Sequence, residues 1–141
     1  MSEEQVKPLK LEPDPDMGYT VVRRKDGGMQ VTFSDVDPET LMHWREFALE
    51  HLLDSDRLTR NLYDLRQLDK LPEAAINLAL EANSDPSARN IRLAVVVSNE
   101  TVRESIEKIT AMTTFGSARI KIFTNMAEAE TWLSRPLSTL V

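Results

Sequence analysis

Apolar and polar residues alternate on both sides of Asp26-Gly27-Gly28, within the stretch YTVVRRKDGGMQVTFS. In the second arm Met29, Val31 and Phe33 share one side, the period of two expected of a half-buried strand. Asp-Gly or Gly-Gly supplies the positive φ of a tight turn, so the stretch predicts a β-hairpin. The period then changes. In DVDPETLMHWREFALEHLLDS the apolar positions Leu41, Trp44, Ala48 and Leu52 recur at helical spacing, with Asp37 as a candidate cap and Pro38 at the first helical position.

NLYDL predicts a short strand, with Leu62 and Leu65 apolar. LPEAAINLALEANSD predicts a helix with Ala75, Leu78, Ala79 and Ala82 on one face. Ile76 and Leu80 project about 100° or more from that face, so the helix is apolar over more than half its circumference. RNIRLAVVVS ends in the unbroken apolar run Leu93 to Val97, the signature of a central strand covered on both faces. Ser98 is a candidate cap for the next helix, on which Val102, Ile106, Ile109 and Met112 align. SARIKIFT alternates Ile120 and Ile122 with Arg119 and Lys121, as a strand near a sheet edge does. In TNMAEAETWLSR, Asn125 and Glu128 form a capping box, and Trp132 and Leu133 anchor the last helix.

The predicted order is ββαβαβαβα, an α/β fold with a mixed, mostly parallel sheet flanked by helices and joined by right-handed crossovers. The chain's 141 residues hold one domain, with no internal repeat. Residues 1–17 contain Pro8, Pro13, Pro15 and many acids, and are expected to form an extended or mobile arm outside a domain spanning 18–141.

Composition removes several function classes. The formal net charge of −6 argues against a surface built for nucleic acid. Without cysteine, disulfides, thiol nucleophiles and cysteine-bound metals are excluded. No run approaches the roughly 18 apolar residues of a membrane span, and a cytoplasmic location is expected.

Candidate chemistry is sparse. The four glycines make no phosphate-cradling loop, and no G-x-S-x-G elbow is present. His43 and His51 lie eight residues apart, where metal pairs on a helix favour three or four. Neither a hydrolase nor an oxidoreductase has residues to support it, and none requires a cofactor. Asp35, Asp37, Asp64, Ser98 and Lys121 imitate the layout of an aspartate phosphoreceiver, with Asp64 as the phospho-acceptor, although Lys121 lies mid-strand between two isoleucines. The plainer expectation is that Asp64 receives N–H bonds from the loop at 66–69 or pairs with Arg66 or Arg89. Trp44, Phe47 and Trp132 are expected to pack in the core.

The hairpin together with WREFALEHLL, LYDLRQL, LAVVVSNETVRES and IKIFTNMAEAETWL resembles the STAS-like proteins related to the sporulation anti-anti-sigma factor. The similarity is to a divergent branch and is closest in the last two strings. It spans roughly residues 18–134. It implies a mixed sheet with packed helices and a non-enzymatic regulatory module. In that family a D-S-[ST]-G signature carries a phosphorylated serine. Here the matching stretch is Asp69-Lys70-Leu71-Pro72, without hydroxyl or glycine, so the resemblance implies no phosphoserine switch at that place. The expected binding face is Asp69, Lys70, Glu73, Ile76 and Leu80, directed at a protein partner or a second copy. The branch also suggests an alternative, a carrier of a small apolar or lipid-like ligand.

Overall fold

A computed structural model of the chain describes residues 17–25, 28–51, 59–83, 91–112 and 119–135. The acidic arm before Met17, the turn residues Asp26 and Gly27, and Arg89 lie outside them. The elements are β1 (Tyr19–Arg23), β2 (Met29–Phe33), α1 (Pro38–His51), β3 (Thr59–Asp64), α2 (Glu73–Asn83), β4 (Ile91–Val96), α3 (Glu100–Met112), β5 (Arg119–Phe123) and α4 (Met126–Leu133). The expected α/β order is therefore present.

The five strands lie in sequential order, β1-β2-β3-β4-β5. β1 and β2 pair antiparallel, with Tyr19 opposite Phe33 and Arg23 opposite Met29. The other neighbours are parallel. β4 is central to the parallel part, and Ala94, Val95, Val96 and Val97 are all buried. β5 is an edge, as its alternation predicts.

Strand alternation divides the apolar residues into two cores. On one face Val31, Phe33, Val95 and Val97 meet Trp44, Phe47 and Ala48 of α1 and Val102, Ile106 and Ile109 of α3. α2 packs between α1 and α3 on this side. On the other face Leu62, Ala94, Val96 and Phe123 meet Ala129 and Leu133 of α4. That single short helix packs on β3, β4 and β5. The β1–β2 part of this face is left more open, and Val22 there is 61% exposed.

Loops are closed by side chains not all of which the sequence singles out. The start of α1 is organised by Asp35 rather than by the side chain of Asp37: Asp35 Oδ1 accepts from Asp37 N (3.1 Å) and Thr40 Oγ1 (2.7 Å). A Cβ at Gly18 would meet the Asp35 carboxylate and displace it from this position. α3 is capped by Asn99, not Ser98: Asn99 Oδ1 accepts from Val102 N at 2.8 Å. Asn125 caps α4 by accepting from Glu128 N, as the capping box predicts. Met112 leaves the buried stripe of α3 and is 55% exposed. Among the described residues no helix is long and apolar enough to cross a membrane.

Candidate functional site

The carboxyl ends of β3 and β4 build one connected structure. The ladder continues past the strands, with Leu65 N donating to Val96 O at 2.8 Å. The chain then turns, and Leu68 N donates to Leu65 O at 3.1 Å while both leucine side chains are buried. Asp64 sits at the bend. Its Oδ1 accepts from Arg66 N (3.1 Å) and Arg66 Nε (2.9 Å), and its Oδ2 accepts from Arg66 NH2 (2.8 Å). These bonds hold the Asp64 carboxyl below its usual pKa against the opposing effect of burial. The plainer expectation for Asp64 is thus met at Arg66.

The β4–α3 turn fastens the same loop from the other side. Ser98 Oγ donates to Arg66 O at 2.8 Å, and Asn99 Nδ2 donates to Leu68 O at 3.0 Å. Asn99 therefore caps α3 with its oxygen and pins the β3–α2 loop with its nitrogen. The chain emerges from this clamp into Asp69, Lys70 and Glu73, all exposed.

Helix α2 has no fully buried side chain among its described positions. Ile76 and Leu80 do not project away from the domain: both are half-buried and pack against the larger core, together with Leu78 and Ala79. The reason is the wedge position. α1 and α3 flank α2, so an apolar arc wider than a single stripe is needed to fill both flanks. One exposed ion pair, Arg45 NH2 to Glu81 Oε2 at 3.0 Å, also ties α2 to α1. What α2 offers outward is Glu73, Ala74, Asn77 and the ion-paired Glu81.

The other sequence candidates stay apart. Asp35 serves its own helix start, and Lys121 Nζ lies 5.8 Å from the centre of the Phe123 ring. The sequential strand order also provides no topological switch point, the crevice at which doubly wound folds and receiver-type sheets place their ligands. His43 is half-buried, with Nδ1 2.6 Å from the Tyr19 hydroxyl. Tyr19 is 1% exposed, and burial raises its pKa. Trp44 is buried and donates from Nε1 to the Tyr63 hydroxyl at 3.1 Å. Among the described residues no group of three His, Cys, Asp or Glu side chains could hold a metal ion.

Two arginines escape sequence reasoning. Arg60 and Arg92 are register partners on β3 and β4. Arg60 Nε donates to Leu133 O (2.6 Å), and Arg92 NH1 donates to Arg135 O (2.7 Å) and Trp132 O (3.3 Å). Both cations thus meet the carbonyl end of α4, where the helix dipole is negative. Arg92 is 2% exposed and lies 5.5 Å from the Trp132 ring centre. The available signal is a single arginine near the start of each strand, Arg60 before Leu62 and Arg92 before the run Leu93–Val97, which reads equally well as a solvated face.

The class defined by this architecture is the STAS-like α/β fold: a five-stranded mixed sheet, antiparallel only between β1 and β2, with four helices in the order ββαβαβαβα. Among solved structures, the fold is similar to that of a "putative anti-sigma factor antagonist" from Thermotoga maritima, with a TM-score of 0.62 and 13% sequence identity over 83% of this chain and 95% of that chain. No protein-family model matches the chain, and no curated protein matches it.

Proposed function

We propose that this protein is a non-enzymatic regulatory module that binds a protein partner through the β3–α2 loop and the outer side of α2. The observation that carries this reading is the double clamp on the loop. Asp64 and Arg66 brace it from within, and Ser98 and Asn99 hold its carbonyls from the neighbouring turn. A loop so fastened presents Asp69, Lys70 and Glu73 in one geometry, which lowers the ordering cost of association. The likeness of the fold to the antagonist from Thermotoga maritima supports a partner that is itself a protein.

Ile76 and Leu80 contribute as the half-buried floor of this surface, and the three charged residues form its rim. The test is affinity capture from the native host with the wild type and with the triple reversal Asp69→Lys, Lys70→Glu, Glu73→Lys. All three positions are exposed, so the fold is retained. A protein retained in stoichiometric amount by the wild type and lost from the variant is expected. Equal capture by both, or by neither, overturns the assignment.

A further inference from the structure

The amino ends of β3 and β4 gather positive charge. Arg60 lies opposite Arg92, on the face where Leu62, Ala94 and Val96 meet α4. Arg60 places Nε on Leu133 O (2.6 Å) and NH2 on Arg135 O (3.2 Å). Arg92 places NH1 on Trp132 O and on the same Arg135 O. One carbonyl thus receives two guanidiniums, and the residue that carries it is a third, exposed arginine.

The carbonyls account for the order of this cluster but not for its charge. The carbonyl end of a helix amounts to about half of one negative charge, against three guanidiniums. Neither Arg60 nor Arg135 pairs with a carboxylate among the described residues. Arg24, Arg45, Arg66 and Arg103, by contrast, each meet an acid: Glu130, Glu81, Asp64 and Glu107. Arg92 is 2% exposed, and burial, followed by the like charges of Arg60 and Arg135, lowers its pKa. A chain of formal net charge −6 therefore holds three cations in mutual repulsion at one place.

Donors are also held in reserve. A guanidinium carries five N–H groups. Two nitrogens of Arg60 are tied to carbonyls, which sets the position of NH1, and NH1 has no partner among the described residues. Arg60 is half-buried and Arg135 exposed, so solvent reaches both. Arg92 lies beneath them and acts through its charge.

We propose that Arg60 and Arg135 bind a phosphate group, free or as the terminal ester of a small soluble molecule, above the buried charge of Arg92. The guanidinium fork matches phosphate oxygens in pairs, and a dianion offsets more of the three charges than a carboxylate does. The carbonyls that fix Arg60 in advance lower the ordering cost of binding. This site lies at the opposite end of β3 from the β3–α2 loop, and the two assignments stand or fall independently.

The probe is inorganic phosphate, titrated at constant ionic strength with chloride as the balancing anion. The Arg60 Nε–H, held on Leu133 O, supplies a side-chain N–H signal for nuclear magnetic resonance. A saturable shift of that signal is expected, with a Kd in the millimolar range or tighter. Acetate should act about tenfold more weakly. Arg135→Gln, at an exposed position, should weaken phosphate binding about tenfold by removing charged hydrogen bonds. Lys108→Gln removes an exposed charge on α3 and should leave binding unchanged. No saturable shift, equal weakening by Arg135→Gln and Lys108→Gln, or a response to acetate as strong as that to phosphate overturns the proposal. Retention on phosphatidic acid vesicles without any response to inorganic phosphate also counts against it.

Discussion

Arg66 folds back onto Asp64, two residues before it, and grips its carboxylate with both Nε (2.9 Å) and NH2 (2.8 Å) while the Arg66 amide adds a third bond. The Asp64 pKa is depressed in the folded protein, chiefly by the Arg66 side chain. A depressed carboxyl contributes stability above its unfolded pKa, about 3.9, and loses that contribution as pH falls through the folded value. Asp64→Asn should therefore cost roughly 1–2 kcal/mol at neutral pH. The gap between wild type and variant should shrink below about pH 4, as read from urea unfolding at a series of pH values.

The two arginines beneath α4 predict a second effect. Arg92→Met keeps much of the buried stem but removes the donor to Arg135 O and Trp132 O. A loss of about 2 kcal/mol is expected, from charged hydrogen bonds to helix-end carbonyls in a buried site. Trp132 is half-buried beside Arg92 and Phe123, so its fluorescence should shift toward the red in a Trp44→Phe background.

Asn99 and Ser98 both hold the β3–α2 loop, but Asn99 also caps α3. Asn99→Ala should cost on the order of 1–2 kcal/mol, and Ser98→Ala clearly less, because its hydroxyl is exposed and bonds one carbonyl. Thermal unfolding of the two variants measures the order. Equal losses would show that the cap adds nothing to the loop clamp.

Much of this architecture is legible in the sequence because its signals are local. The alternation of Met29, Val31 and Phe33, the run Leu93–Val97 and the capping box at Asn125 each specify an element without reference to the rest of the chain. What escapes is set by register. The pairing of Arg60 with Arg92, and their reach to the end of α4, follow from strand neighbours far apart in sequence. The packing of Ile76 and Leu80 against the larger core is hidden for the same reason: a helical projection cannot show that neighbours close on α2 from both sides. Asn99 rather than Ser98 is the cap because α3 begins at Glu100, which puts Asn99 directly before the first helical residue and within reach of Val102 N.

Ile76 and Leu80 should now behave as packing residues as well as the floor of a surface. Ile76→Ala with Leu80→Ala is expected to lower stability by roughly 2–4 kcal/mol, less than two fully buried truncations would. The triple reversal at Asp69, Lys70 and Glu73 should leave the unfolding midpoint within about 0.5 kcal/mol of wild type. Chemical denaturation of both variants separates the floor from the rim.

Hydrogen exchange, compared between the free protein and its complex with the captured partner, tests the proposed binding surface most directly. Slower exchange across Arg66–Leu80 on binding is the predicted result. Exchange unchanged in that stretch, with protection confined to α4 or β5, would contradict the assignment.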